Sequence, residues 1–138
     1  MSKDEIERMI LSKKMIDLYK KALRPPVESP VRVRSEAEFL EVIKGDRLVL
    51  ADFYADWCAP CRLIAPIVER LGQKYYPKLI VVKVNVGELP ELASRYEVLS
   101  IPTLIFFWRG RELDRVVGYY PRIARALEQK IKAYLGES

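Results

Sequence analysis

Apolar residues recur along the chain with two different periods, and the first of them is helical. In residues 4–24 the apolar side chains fill one face of a helix and charged side chains fill the other. The apolar positions from residue 11 on are Leu11, Met15, Ile16, Leu18, Tyr19, Ala22 and Leu23. The stretch RPPVESP then ends the helix, because proline lacks a backbone donor and disfavours helical geometry in the preceding residue. We therefore expect residues 1–30 to form an N-terminal amphipathic helix and a proline-rich linker.

From residue 31 onward, short apolar runs typical of strands alternate with amphipathic stretches typical of helices. The predicted strands are VRVR, LVLADFY, LIVVKVNV, TLIFFW and RELDRVVG, and a tight antiparallel turn at Arg109-Gly110 joins the last two. The predicted helices are a stretch capped by Ser35 and ending near Lys44, APCRLIAPIVERLGQKYY, PELASRYE and PRIARALEQKIKAYL. This order predicts one α/β domain over residues 31–138, with a central mixed β-sheet flanked by helices on both faces.

The positive charge of the chain is concentrated near its N-terminus. Of the net charge of +5, residues 1–34 contribute most, with nine Lys or Arg against five Asp or Glu. The rest of the chain is nearly neutral, which gives no sign of the basic surface expected of a nucleic-acid-binding domain. No apolar run is long enough to cross a bilayer, and the acidic residues at 4, 5 and 7 argue against a targeting peptide. We expect a cytoplasmic protein that binds neither nucleic acid nor membrane.

The chain has two cysteines and no histidine, and both cysteines fall in the stretch ADFYADWCAPCR. The predicted elements place Cys58 at the start of a helix and Cys61 one turn inside it. Residues three apart on a helix are neighbours, so the two sulfurs can come within disulfide range with little backbone movement. Free backbone N–H groups and the positive end of the helix dipole point at the Cys58 sulfur, and both favour the nucleophilic thiolate. The pair therefore has the properties of a redox-active dithiol.

Two other interpretations of the cysteine pair stay open at this point. A zinc or iron–sulfur site normally needs four ligands, so a metal would have to be shared between subunits or borrow a carboxylate. A purely structural disulfide would close only a very small loop, and it would be unusual inside a cell except in a hyperthermophile. A single Asn, two Gln and 31% charged residues do favour a thermophilic source.

The segments ADFYADWCAPCRLIAP, SIPT and RGRE resemble the thioredoxin family, and the similarity extends from about Val31 to Leu135. This resemblance implies a thioredoxin fold and the reduction of protein disulfides by dithiol exchange. Cys58 would be the attacking cysteine and Cys61 the cysteine that resolves the mixed disulfide. Asp52 would accept a proton from Cys61, and Lys83 on the adjacent strand would be its partner. From the residues alone, Asp52 could instead face water at a strand end, and Lys83 could extend into solvent.

The resemblance also implies a substrate-binding rim around Cys58. The Ile101–Pro102 bond matches the cis-proline position of the family, where the Ile101 backbone would pair with an extended substrate. The rim would consist of Trp57, Ala59, Pro60, Ile101, Pro102 and Gly118, although Trp57 could serve in simple packing. The sequence departs from the family at Ala59, where Gly is usual, at Tyr54, where Trp is frequent, and at Tyr119 and Tyr120, where smaller residues are expected.

These observations predict a protein-disulfide reductase without a bound cofactor or metal, recycled by a thioredoxin reductase as electron donor. One alternative is a disulfide oxidase or isomerase, because the residues between the cysteines influence the redox potential. The other is a non-catalytic thioredoxin-like adaptor. The N-terminal helix lies outside the resemblance, and we expect it to pack on its own domain or to form a homo-oligomer.

Overall fold

The computed structural model describes residues 2–23 and 30–137. Its helices are α1 (Lys3–Leu23), α2 (Glu36–Ile43), α3 (Ala59–Tyr75), α4 (Pro90–Arg95) and α5 (Ile123–Leu135). Its strands are β1 (Val31–Arg32), β2 (Leu48–Tyr54), β3 (Leu79–Asn85), β4 (Thr103–Trp108) and β5 (Arg111–Val117). The predicted order is confirmed, although α5 begins two residues later than expected. The predicted linker lies largely outside the described residues.

The five strands form one mixed sheet in the order β1-β3-β2-β4-β5. Strands β1, β3 and β2 are parallel, whereas β4 runs antiparallel to β2 and β5 antiparallel to β4. Strands β2 and β3 are central because LVLADFY and LIVVKVN are apolar on both faces and can be covered by helices on each side. The turn between β4 and β5 has φ of 49° at Arg109 and 80° at Gly110, the positive values that a type I′ hairpin requires.

Helices cover both faces of the sheet and produce two cores. One core lies between the sheet and α3 with α5, and its members include Leu50, Ile64, Val68, Leu71, Val81, Leu104, Leu127 and Ile131. The other lies between the sheet and α2 with α4, and its members include Phe39, Ile43, Val49, Phe53, Val82, Leu92 and Phe107. Side chains of a strand alternate between faces, so Asp52 and Tyr54 share the first face with Leu50. The sheet is thus buried on both sides, as the sequence predicts.

Helix α1 begins as predicted and exposes part of its predicted apolar face. Ser2 caps it by accepting a hydrogen bond from the Glu5 N–H. Met15 and Ile16, two residues of that face, are 68% and 51% exposed. Within the described residues, no helix is both long and apolar enough to cross a membrane. Because Met15 and Ile16 are exposed, they do not contribute to the core of the domain.

Candidate active site

Helix α3 holds the two cysteines at its N-terminus. Cys58 is the N-cap residue, and its Sγ accepts a hydrogen bond of 3.2 Å from the Cys61 N–H. A disulfide joins the two residues, whose Cα atoms are 5.3 Å apart. Pro60 lies in the first turn, where a missing N–H leaves no helical bond unmade. The helix terminus thus directs a backbone donor at the Cys58 sulfur, as the sequence predicts.

Burial does not distinguish the two cysteines in the disulfide form. Cys58 is 5% exposed and Cys61 is 4% exposed, so both side chains are buried to nearly the same extent. What differs is their surroundings. Cys58 is flanked by the exposed Trp57 and Ala59, and its Sγ lies 3.8 Å from the Ile101 carbonyl oxygen. Cys61 lies one turn inside the helix.

Asp52 is buried in β2, on the sheet face that α3 covers. It is 1% exposed, so the alternative that it faces water is wrong. Neither carboxylate oxygen has a hydrogen-bond partner among the described residues. Burial raises the pKa of Asp52 to about 6, and the nearby charge of Lys83 partly opposes that rise. The site therefore contains a carboxyl group that binds a proton more strongly than an ordinary aspartate.

Lys83 is half-buried and pairs in register with Asp52 across the parallel strands β2 and β3. Its Nζ lies over the ring of Tyr54, 4.4 Å from the ring centroid. Its ammonium makes no hydrogen bond to Asp52. Lys83 thus acts on Asp52 through its charge rather than through a hydrogen bond, and its ammonium lies against a ring instead of extending freely into solvent.

A loop between α4 and β4 brings a proline next to the cysteines. The Ile101–Pro102 peptide bond is cis, in agreement with the resemblance. Pro102 is buried, and its carbonyl accepts a hydrogen bond of 2.8 Å from the Gly118 N–H. Gly118 has φ of 83°, a value that side-chain-bearing residues rarely adopt. This bond joins the two loops that carry the predicted rim residues.

The predicted rim residues that are most exposed lie around the cysteines. Trp57 is 76% exposed, so simple packing does not account for it. Ala59 and Pro60 are exposed, whereas Ile101 and Gly118 are half-buried. Among other apolar residues of these loops, Leu99 is 95% exposed, and Tyr119 and Tyr120 also reach the surface. The buried Cys58 is therefore flanked in the chain by the exposed apolar residues Trp57, Ala59 and Pro60.

Sequence reasoning missed Asn85 and Val86 at the end of β3. Asn85 is buried, and its Oδ1 accepts hydrogen bonds from the N–H groups of Gly87 and Glu88 at 2.9 and 3.3 Å. Its Nδ2 donates to Asp56 at 3.5 Å. These bonds shape the loop that places Val86 against the cysteines. The asparagine two residues before a glycine is a turn signal that could have identified this loop.

The Cys58–Cys61 disulfide is the chemical group at the centre of the site. No cluster of three or more His, Cys, Asp or Glu side chains with the geometry of a metal site occurs among the residues that the structure describes. The two cysteines are joined to each other at a helix N-terminus, above a buried carboxyl group. A helix-terminal dithiol above a buried carboxyl group, on a mixed sheet covered by helices on both faces, defines a protein of the thiol–disulfide oxidoreductase class.

Comparison with known proteins identifies the family. The sequence model of the Thioredoxin family matches residues 30–133. The chain therefore belongs to the thioredoxin family. Thioredoxin 1 of the cyanobacterium Nostoc is 46% identical over 95 residues, which cover 69% of this chain and 87% of that protein. A thioredoxin of Alicyclobacillus acidocaldarius is 44% identical over 88 residues, which cover 64% of this chain and 84% of that protein.

Solved structures show the same relationship. A mutant thioredoxin from Halobacterium salinarum superposes with a TM-score of 0.71 at 38% identity, covering 78% of this chain and 91% of its own. A thioredoxin from Trypanosoma brucei brucei superposes with a TM-score of 0.74 at 30% identity, covering 83% of this chain and 98% of its own. The fold of the domain is thus that of the thioredoxins.

Proposed function

We propose that Cys58 attacks the disulfides of substrate proteins and that Cys61 releases the reduced product. The main support is the Cys61 N–H, which donates to the Cys58 sulfur at 3.2 Å from the first turn of a helix. A donor and a helix dipole aimed at one sulfur favour its thiolate over its thiol. The thiolate is the reactive form in disulfide exchange, so Cys58 is the better nucleophile of the two.

The reaction transfers two electrons to the substrate in two exchanges. The Cys58 thiolate attacks one sulfur of the substrate disulfide, forming a mixed disulfide while the other substrate sulfur leaves as a thiolate. Cys61 then loses its proton and attacks the Cys58 sulfur. The Cys58–Cys61 disulfide forms, and the second substrate sulfur leaves as a thiolate. The chain ends oxidised, with the disulfide present in this structure.

Asp52 accepts the proton that Cys61 loses in the second exchange. Burial raises the pKa of Asp52 to about 6, which brings it closer to working pH than that of an ordinary aspartate. A carboxylate of such pKa is still ionised at neutral pH and takes up a proton more readily than an exposed one. The Lys83 charge stabilises the ionised form and keeps it available as an acceptor.

Substrates bind along the exposed apolar surface that surrounds Cys58. Trp57, Ala59 and Pro60 would contact the segment that carries the substrate disulfide, together with Ile101, Pro102 and Gly118. The Ile101 carbonyl lies 3.8 Å from the Cys58 sulfur, where an extended segment could hydrogen-bond to it as an added strand. The exposed Tyr119 and Tyr120 would lengthen this surface and narrow the range of accepted substrates.

The test is insulin-disulfide reduction by the wild type and by two variants. Cys58→Ser should abolish reduction, because the attacking thiolate is lost. Cys61→Ser should complete the first exchange alone and accumulate a mixed disulfide through Cys58 that can be isolated and identified. Equal rates for the wild type and Cys58→Ser would instead indicate a thioredoxin-like adaptor whose cysteines are incidental.

A disulfide oxidase or isomerase is the second candidate, and Ala59, where the family usually has Gly, is the residue that leaves the redox potential open. Residues between the two cysteines influence the potential, and about 30 mV corresponds to about 1.4 kcal/mol for this two-electron couple. Equilibration with glutathione measures that potential directly. A strongly reducing value supports the reductase, and a strongly oxidising one contradicts it.

The proposal extends to partners and location. A thioredoxin reductase would return electrons to the Cys58–Cys61 disulfide, and protein disulfides would receive them in a cytoplasmic setting. Sparse Asn and Gln beside 31% charged residues support a thermophilic source. Residues 1–30 would form a separate extension to the domain of residues 31–138. The exposed Met15 and Ile16 of α1 support a role for it in homo-oligomer assembly.

A further inference from the structure

The ring of Tyr54 and the ammonium of Lys83 form a contact beside the buried carboxyl group. Tyr54 is the last residue of β2, two positions after Asp52, and therefore lies on the same face of the sheet. Lys83 lies on β3 in register with Asp52, and Tyr54 is in register with Asn85. The lysine side chain crosses diagonally toward the strand end, and its Nζ lies 4.4 Å from the centroid of the Tyr54 ring.

The contact restricts a side chain that would otherwise have many conformations. A lysine has a long flexible stem and tends to carry its ammonium into water when water is within reach. The face of a tyrosine ring carries negative charge density that attracts a cation within about 6 Å of the ring centroid. Tyr54 is half-buried, so the ring offers this attraction at the border between the core and the solvent.

We propose that Tyr54 is a positioning residue, whose ring holds the Lys83 ammonium close enough to Asp52 to stabilise the carboxylate without forming a direct ion pair. This inference deepens the proposed function, in which Asp52 accepts the proton of Cys61. A direct pair would hold the carboxylate oxygens, whereas a cation kept on the ring leaves both oxygens without a hydrogen-bond partner. The ring thus keeps the charge near and the acceptor free.

The other charged groups that face this contact come from the neighbouring strand β1 and from the loops that follow β2 and β3. Arg32 of β1 is in register with Lys83 on its other side, and it forms an ion pair with Glu88. The charges of Arg32, Asp56 and Glu88 all influence the pKa of the Tyr54 hydroxyl, and so does the Asn85 side chain. On the α3 side, Cys58 and Cys61 are joined in a disulfide and carry no charge. The charge of Lys83 lowers the pKa of Asp52 and partly opposes the effect of burial.

A double-mutant cycle on the oxidised full-length protein tests the proposal. The measurement is the pKa of Asp52, followed by NMR titration of its carboxyl carbon, which the Asp52→Asn spectrum assigns. Lys83→Met should raise this pKa, because the stabilising cation is removed. In a Tyr54→Leu background the same Lys83→Met change should raise it by less than half as much, because the cation is no longer held in place. The cycle cancels any change in solvation that the loss of the ring causes in both backgrounds.

Tyr54→Phe is the matched control, because it keeps the ring face and removes only the hydroxyl. In that background Lys83→Met should raise the Asp52 pKa by the full wild-type amount. An equal or larger rise in the Tyr54→Leu background would overturn the proposal, as would a Tyr54→Phe background that behaves like Tyr54→Leu. Since the disulfide is intact and no turnover is measured, these outcomes are independent of insulin reduction. If Asp52 variants reduce insulin normally, the proposed proton acceptor fails while the Tyr54 contact can still be confirmed.

Discussion

Asp52 is an ionisable residue in a place that favours its neutral form. It is 1% exposed and shares its face of the sheet with the buried apolar residues Leu50, Val81 and Leu104. Its pKa is raised from 3.8 to about 6, which corresponds to about 3 kcal/mol against the ionised folded state at neutral pH. An apolar residue there would pack better, so the acid is a cost that the rest of the core offsets.

The pH dependence of stability should report this cost. The unfolded chain releases the Asp52 proton near pH 3.8, whereas the folded chain keeps it up to about pH 6. The stability of the wild type should therefore fall as pH rises through this window, relative to Asp52→Asn, which does not titrate. We expect the difference in unfolding free energy to move by up to about 3 kcal/mol in favour of Asp52→Asn between pH 4 and pH 8.

Urea denaturation of the oxidised proteins at several pH values measures this change. Glu69→Gln, which alters an exposed carboxylate of α3, is the control for a general loss of charge. A constant difference between the wild type and Asp52→Asn across the range would show that Asp52 has an ordinary pKa.

At the scale of residues, the sequence predicts which side chains are buried better than it predicts which side chains contact each other. The run LVLADFY leaves little polar surface for Asp52 and favours its burial, and the structure decides against the alternative of a strand-end carboxylate facing water. The position of the Lys83 ammonium does not follow from the sequence, because a flexible lysine can reach the acid, the ring or water. Only the register of β2 and β3 brings Tyr54 into range.

Helix α2 illustrates how a local signal determines an element. The Ser35 Oγ accepts a hydrogen bond of 3.1 Å from the Glu38 N–H, and the Glu38 carboxylate accepts one of 3.0 Å from the Arg34 N–H. The cap fixes the start of the helix and directs Phe39 into an edge-to-face cluster of aromatic rings with Phe53 and Phe107. Sequence signals of this kind predict element boundaries to within one or two residues here.

Removal of the cap should destabilise the domain without affecting its chemistry. Ser35→Ala leaves a backbone donor without its partner and should lower the unfolding free energy by about 1 kcal/mol. Ser35→Asp, which can still cap, should restore most of it. Chemical denaturation measures the unfolding free energy of each variant, and insulin reduction checks that the chemistry is unaffected. A stability of Ser35→Ala equal to the wild type, or a large loss of activity, would contradict this account.

At the scale of the molecule, the sheet order is the feature that the sequence leaves open. Alternating strands and helices predict a mixed sheet, but they do not determine that β3 lies between β1 and β2. That order depends on long-range pairing, which brings residues far apart in sequence together. The order also places Asp52 and Lys83 side by side, so the electrostatics of the site depend on the topology.

Deletion of residues 1–27 tests the separation of the extension from the catalytic domain. The proposed catalytic residues all lie after residue 50, and Met15 and Ile16 of α1 are exposed. We expect insulin reduction to be largely unchanged, while thermal stability or the sedimentation coefficient changes. A folded deletion variant, verified by circular dichroism, that no longer reduces insulin would show that α1 contributes to the reaction.

The two edges of the sheet have a consequence for the behaviour of the protein at high concentration. Strands with exposed backbone donors and acceptors can pair with other copies and start aggregation. Here one edge strand, β1, has only two residues, and the other, β5, carries Arg111, Glu112, Asp114 and Arg115. Short and charged edges oppose such pairing, whereas the apolar strands β2 and β3 lie inside the sheet. The fold thus keeps its most aggregation-prone segments away from neighbouring molecules for as long as it stays folded.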